Sequence, residues 1–232
     1  MTEDEWLTGQ TASDLLYHIR ATASLRKLRL FGVACCRRVL HLNFAPEVPR
    51  ALEIVEGLAD GSVGDKERED AYEALYNARE FAGRAYLGDP DDPKPNDGTA
   101  AYFVLDGVIG LFEYTGNKLG FPAHQSLEAI WFADRAPERE HRSGEARAQA
   151  ALLRDIFGNP FRPVAFEPAW RTDTALTLAR QMYESRDFTA MPILADALQD
   201  AGCEDEQVLH HCRDATAPHV RGCWVCDLVL DL

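Results

Sequence analysis

The sequence SLRKLRLFGVACCRRVLHL, residues 24–42, indicates the fold of the chain most clearly. Its apolar residues recur at the spacing of one helix face, at Leu28, Phe31, Cys35, Val39 and Leu42. The middle of the stretch, residues 30–36, is apolar nearly all round. Because such a helix is usually buried on most sides, we expect residues 24–42 to form a helix inside a helical core.

The same kind of spacing predicts helices along most of the chain. A final apolar stretch, residues 220–232, fits a helix or a strand, and we favour a helix. Residues 99–114 fit a helix, with a buried strand as the alternative. Alternating strands with hairpin turns and a strand–helix–strand rhythm are not seen. The sequence therefore predicts an all-α fold, an irregular multi-helix array or bundle with at most a short strand pair. Further helices are expected at residues 48–59, 65–87, 126–135, 144–157, 172–185, 190–201 and 204–212.

One segment interrupts this helical pattern. Residues 88–98, GDPDDPKPNDG, contain three prolines and four aspartates and offer nothing to a core. We predict a loop at residues 89–98. The chain is then a single helical domain, residues 1–232, with two lobes at 1–88 and 99–232 as the alternative.

Charge and composition limit the partners of the chain. With 24 basic and 38 acidic residues, the net charge is −14. This surface repels nucleic-acid phosphates, so no DNA is expected, and it suits a basic protein partner. The first 15 residues are acidic and polar, unlike a secretory signal, and the longest apolar stretch is too short for a bilayer. We therefore expect a cytoplasmic protein without membrane contact.

Cysteine and histidine residues gather near the carboxyl end. Cys223 and Cys226 have the spacing of a zinc half-site, and Cys212 and His219 could complete a set of four ligands. The alternative is that these thiols pack in the core, since free cysteine is among the most buried residue types. We favour packing and expect no cofactor, with zinc as the alternative.

The helix expected at residues 24–42 carries a basic cluster on both sides of its apolar centre, formed by Arg26, Lys27, Arg29, Arg37 and Arg38. Cys35 and Cys36 precede Arg37 and Arg38, whose charges could lower a thiol pKa. We favour buried, unreactive thiols. The arginines could meet an acidic partner or RNA, but we favour ion pairs with carboxylates of this chain.

A second candidate surface follows the helix that ends near residue 157. Asp155 is expected to hold Arg162 across the turn at residues 158–160. An exposed Phe161 would indicate a docking surface. The candidate interaction residues are therefore Arg37, Arg38, Phe161 and Arg162.

Four stretches together resemble a paralogue-rich family of uncharacterised bacterial proteins. The resemblance covers nearly the whole chain, but it implies no particular activity, cofactor or catalytic residue; expansion of this kind suits interaction modules. The stretches are KLRLFGVACCRR at 27–38, LLRDIFGNPFRP at 152–163, MPILADALQDAGC at 191–203 and HVRGCW at 219–224.

The sequence contains none of the common phosphate-binding, zinc-protease or serine-hydrolase motifs. We therefore favour a non-enzymatic, acidic helical adaptor that binds another bacterial protein, one encoded nearby. The first alternative is a zinc-stabilised regulatory protein with ligands at the carboxyl end. The second is a hydrolase or thiol enzyme whose site has no short motif.

Overall fold

The computed structural model describes residues 1–42, 45–86, 97–112 and 140–232. Within these ranges the chain is all-α and contains no strand, which confirms the predicted fold class. Two short 3-10 helices lie at Leu40–Leu42 and Pro168–Trp170. The α-helices are α1 Glu3–Thr8, α2 Ala12–Ile19, α3 Leu25–Arg38, α4 Glu47–Ala59, α5 Asp65–Tyr86, α6 Asp97–Phe112, α7 Glu140–Phe157, α8 Asp173–Ser185, α9 Met191–Asp200, α10 Glu206–Arg213 and α11 Trp224–Leu230.

Both stretches that fitted two kinds of element form helices. Residues 99–112 lie in α6, residues 113–114 fall outside the described part of the chain, and residues 224–230 of the final stretch form α11. The predicted loop at 89–98 falls partly outside the described residues, and its last two residues begin α6. The helix predicted at 126–135 lies outside the described residues altogether.

The chain divides into two compact units. The C-terminal unit comprises Met1–Leu7 and Ala151–Leu232, and the N-terminal unit comprises Thr8–Ala150. The division therefore differs from the lobes that the loop at 89–98 suggested. The physical reason is that α5 and α6, which flank this loop, pack into one core through Leu75, Val104 and Leu105.

α3 contributes Val33 and Cys36 to the core of the N-terminal unit, most of which comes from α4 and α6. Every residue from Leu30 to Cys36 is buried, as the apolar pattern predicts. The thiols of Cys35 and Cys36 are at most 1% exposed, and burial raises the pKa of Cys35 well above its ordinary value. These observations agree with the interpretation of both residues as buried thiols.

The arginines at the end of α3 pair with buried carboxylates of the same unit. Arg37 donates to Glu56 at 3.1 Å, and Arg38 donates to both oxygens of Glu145 at 3.0 and 2.9 Å. The favoured interpretation of the basic cluster as internal ion pairs is confirmed for these two residues.

The C-terminal unit has its own core, formed by α8 to α11 and the turns between them. Thr172 caps α8 by accepting a hydrogen bond from the amide of Ala175, and Asp205 caps α10. Cysteine thiols make up an unusual share of this core. Its buried cysteines are Cys203, Cys212, Cys223 and Cys226.

The first helix belongs to the same unit as the last four. Trp6 on α1 is fully buried, and its indole nitrogen donates to the carbonyl of Gly158 at 3.1 Å. In return Arg154 donates to the carbonyl of Trp6 at 2.8 Å. These bonds hold α1 against the end of α7.

None of the described helices is both long enough and apolar enough to cross a bilayer.

Candidate metal centre

Four side chains of the C-terminal unit bring their ligand atoms within 4.8 Å of one another. Asp155 lies near the end of α7, and His211 lies on α10. His219 lies in the turn after α10, and Cys223 is the residue that precedes α11. The cluster therefore joins the end of α7 to one later segment of the chain, residues 211–223.

Backbone contacts fix the position of each contributing segment. Asp155 is anchored because its Oδ2 accepts a hydrogen bond from the amide of Val220 at 3.0 Å, which ties the turn after α10 to α7. The ring of Trp224 lies 5.1 Å from that of His211, centroid to centroid. Gly158, with φ +66°, approaches this indole so closely that a Cβ there would lie 3.2 Å from the ring. The turn after α7 therefore packs against the indole that lies beside His211.

The ligand atoms are close to one another and converge. His211 Nε2 lies 3.2 Å from Cys223 Sγ and 3.2 Å from Asp155 Oδ1. His219 Nδ1 lies 2.9 Å from the same Asp155 Oδ1. One nitrogen of His211 thus faces both a thiol and a carboxylate, and one carboxylate oxygen faces both rings.

These separations match the ligand set that zinc prefers. With metal–ligand bonds of about 2.0–2.3 Å, the edges of a tetrahedral site are about 3.3–3.6 Å long. These three pairs fall within a few tenths of an ångström of that range, and the other three lie within 4.8 Å, so the four atoms would draw closer together around an ion. Two imidazoles, one thiolate and one carboxylate are also the donor types that Zn²⁺ accepts.

The cluster also contains the residue types of a Cys–His–Asp catalytic triad, in which the two nitrogens of the histidine have different partners. His211 does not fit this arrangement, because its Nε2 faces both Cys223 and Asp155. His219 comes nearer to it, with Nδ1 on Asp155 and the Cys223 thiol close to the ring, but the thiol and Nε2 make no hydrogen bond. The Cys223 side chain is also fully buried, so a substrate has no access to its sulfur.

Burial and the neighbouring charges set the protonation of the cluster. Burial alone would raise the pKa of Asp155, but hydrogen bonds from His211 and His219 outweigh it and lower that pKa. For both histidines burial lowers the pKa, and the contacts with Asp155 and Cys223 outweigh it, so that the pKa rises to about 9 for His211 and about 10 for His219. Burial raises the pKa of the Cys223 thiol well above its ordinary value. Without a metal the cluster therefore carries protons that zinc would displace.

One ring nitrogen of the cluster has no satisfied hydrogen bond in the described part of the chain. Nε2 of His219 is buried and meets no hydrogen-bond geometry, although the thiol of Cys223 lies nearby. Buried polar atoms are nearly always satisfied, and an exception calls for a physical reason. The same ring faces Asp155 through Nδ1, so an ion bound at Nδ1 leaves Nε2 unsatisfied, and the orphaned nitrogen is not evidence for the metal.

The structure brings together two of the four ligands that the sequence suggested. His219 and Cys223 belong to the cluster, whereas Cys212 and Cys226 do not contribute to the converging set. Cys212 is 1% exposed and lies in the core, where burial raises its pKa. Cys226 packs its sulfur 3.7 Å from that of Met191. For these two thiols the surroundings agree with core packing.

Asp155 and His211 complete the converging set, and neither was predicted as a ligand. The expectation that Asp155 holds Arg162 is wrong, because Arg162 pairs with Glu3 at 2.6 Å. His211 is one of two adjacent histidines, and spacing alone does not distinguish it from His210. Only the placement of α7 beside the turn after α10 reveals that Asp155 and His211 meet.

The candidate interaction residues lie at separate places. Arg37 and Arg38 are engaged by the buried carboxylates of Glu56 and Glu145. Phe161 is 37% exposed, and the Arg162 side chain is 65% exposed beside it. Of these four residues, Phe161 and Arg162 are the more accessible to a partner.

Comparison with models of known protein families, with curated proteins and with solved structures found no match. The bacterial family that the four sequence stretches resemble stays a prediction.

Proposed function

We propose that the chain is a non-enzymatic, acidic interaction module whose C-terminal unit binds one structural Zn²⁺ ion through Asp155, His211, His219 and Cys223. The observation that carries the proposal is the convergence of four zinc-type ligand atoms within 4.8 Å, from Asp155 and from the distant segment 211–223.

The coordination number supports a structural role for the ion. Catalytic zinc sites keep one position open for water or substrate, whereas structural sites use four protein ligands. This cluster supplies four, and its side chains are at most 15% exposed. A zinc ion held by all four leaves no position for a substrate.

The location of the cluster supports a role in folding. One ion at this point would link α7, α10, the following turn and the start of α11. Because the ligands come together only in the folded chain, the free energy of zinc binding is then folding free energy. The small C-terminal unit would depend on the metal for part of its stability.

The net charge of the chain and two of its exposed side chains suit a binding role. The net charge of −14 favours a basic protein partner by long-range attraction. The exposed pair of Phe161 and Arg162 follows Gly158, which packs against the indole of Trp224 beside His211. A regulatory effect of zinc on partner binding would follow from that position.

The experiment is native mass spectrometry of tag-free protein purified in reducing buffer without chelator. We expect one zinc ion per chain, which is lost in H211Q and retained in H210Q, because His210 is the exposed neighbour of His211 on the same helix.

A second pair of variants separates the two ligand sets. The double variant C212S/C226S removes the thiols that only the sequence pattern suggested and should retain zinc, whereas D155N should lose it. Zinc lost in C212S/C226S but retained in D155N would contradict the proposed set. Wild-type protein without zinc, even after incubation with the metal, would refute the proposal altogether.

A further inference from the structure

A cavity of about 630 Å³ lies between α4 and α5 in the N-terminal unit. Its floor is aliphatic, and all but one of the side chains that form it are short. Sites for small organic ligands have volumes of this order, with a mostly apolar lining and a few polar groups. The described residues of the floor are Ala51, Ile54, Ala71 and Ala74.

Five charged side chains also line this cavity, and four of them are paired with one another. Arg50 donates to Glu67 at 2.5 Å, which joins α4 to α5 beside the cavity. Lys66 Nζ lies 3.4 Å from Asp70 Oδ2. The charges of these four side chains cancel, so the fifth, the carboxylate of Glu47, sets the net charge of the described lining.

Glu47, the first residue of α4, makes neither an ion pair nor a hydrogen bond with another side chain or amide in the part of the chain that the structure describes. Its Oε2 atom is buried, whereas Oε1 is not. Oε1 is therefore the oxygen that a molecule in the cavity can reach. A buried carboxylate oxygen without a donor costs free energy, and a cation at the second oxygen offsets part of that cost.

We propose that this cavity binds a small aliphatic primary amine, whose ammonium group donates to Glu47 and whose alkyl chain lies on the aliphatic floor. A primary ammonium group is a compact charge that one acceptor oxygen can bind. A guanidinium group pairs best with both oxygens of a carboxylate, and here only Oε1 is open. A single unpaired carboxylate also suits a monoamine better than a diamine.

The site is independent of the zinc cluster, because the two lie in different compact units. The described lining contains no aromatic ring, so these residues do not form the aromatic cage that is typical of quaternary ammonium sites. An aliphatic chain is therefore the better match to the floor.

The test is isothermal titration calorimetry of the full chain with n-hexylamine at neutral pH. We expect saturable binding, weakened at least about tenfold in E47Q, because this variant keeps the shape of the side chain and loses its charge. 1-Hexanol and methylamine, which carry only the tail or only the charge, should each bind at least about tenfold more weakly than n-hexylamine. E73Q is the matched control, since Glu73 is an exposed carboxylate of α5 that does not line the cavity, and its affinity should equal that of the wild type.

A second variant tests the apolar half of the site. A74L places a larger side chain on the cavity floor at a half-buried position and leaves Glu47 in place, so it keeps the proposal testable if E47Q does not fold. It should weaken n-hexylamine binding at least about tenfold.

Absence of saturable n-hexylamine binding up to about 10 mM, or an equal loss in E47Q and E73Q, would overturn the proposal. Equal affinity for 1-hexanol and n-hexylamine would show that Glu47 does not hold the ammonium group. Methylamine binding as tightly as n-hexylamine, or unchanged affinity in A74L, would remove the alkyl chain from the floor.

Discussion

Replacing His211 with glutamine removes one of the four proposed zinc ligands and leaves the helix around it intact. H210Q makes the same chemical change one residue earlier, at an exposed position outside the cluster. The pair therefore separates the loss of a ligand from the loss of a histidine on α10. The quantity to compare is the melting temperature of each protein in excess zinc and in chelator.

The size of the effect follows from linkage. Free zinc at 100 times its dissociation constant raises the free energy of unfolding by about 2.7 kcal/mol. In a unit of this size each kcal/mol moves the melting temperature by about 4–8 °C, which gives about 11–22 °C for the wild type. If the loss of one ligand weakens zinc binding about 1,000-fold, the gain falls to about 0.06 kcal/mol, and the shift in H211Q is below about 1 °C.

Tryptophan fluorescence is the suitable assay for this transition. Of the four tryptophans, Trp6, Trp170 and Trp224 belong to the C-terminal unit, so its unfolding dominates the signal. H210Q should reproduce the full wild-type shift. Equal melting temperatures of the wild type in zinc and in chelator would refute the reasoning, as would equal losses in H210Q and H211Q.

Three further predictions concern protons, backbone strain and a buried ion pair. In chelator, the two protonated cluster histidines stabilise the fold, because their pKa values are raised in the folded chain. This contribution is complete below the pKa of an unfolded histidine and is lost as the pH rises through about 9 and 10. Zinc binding, in contrast, needs both rings deprotonated. The increase in melting temperature caused by zinc should therefore grow between about pH 6 and pH 9, and an increase that shrinks with pH would contradict the cluster with Asp155. G158A should lower the free energy of unfolding, measured in urea, by about 1–3 kcal/mol. Gly158 has φ +66°, and an added Cβ would lie 3.2 Å from the indole ring of Trp224. An unchanged urea midpoint would show that the backbone adjusts to alanine at this position without cost. R38A leaves Glu145, which is 5% exposed, without its cation and should lower the free energy of unfolding by about 1–3 kcal/mol in the same assay. R50A, at an exposed ion pair, should lower it by less than about 1 kcal/mol. Equal losses would mean that burial of the carboxylate does not matter.

The fold could be predicted from the sequence because its signals are local. The apolar run at residues 30–36 required burial on most sides of α3, and α3 is buried there. Thr172 and Asp205 stood at helix starts and act as caps. Each of these features depends on residues within a few positions of one another, which is the range over which helical patterns are informative.

The division into units could not be predicted in the same way. The composition of residues 89–98 indicates a loop, but a loop says nothing about which cores its neighbours join. Here α5 and α6 share one core, and α1 joins the distant C-terminal unit through Trp6. Long-range packing of this kind cannot be inferred from the local spacing of apolar residues.

The candidate site shows the same limit. Cys223 and His219 were found because thiols and imidazoles near the carboxyl end suggest metal binding. Asp155 was assigned to the wrong partner because a carboxylate at the end of a helix has a simple local explanation, an ion pair with Arg162. His211 was overlooked as a ligand because one of two adjacent histidines gives no indication of which face it takes.

The most direct test of the zinc site is X-ray absorption at the zinc edge on the tag-free, zinc-loaded protein. The proposed ligands predict four-coordinate zinc with a single sulfur at about 2.3 Å and three nitrogen or oxygen ligands at about 2.0–2.2 Å. A first shell with two or more sulfurs would place Cys212 or Cys226 on the metal and contradict the cluster of Asp155, His211, His219 and Cys223. A shell of nitrogen and oxygen alone would remove Cys223 from the site and contradict it equally.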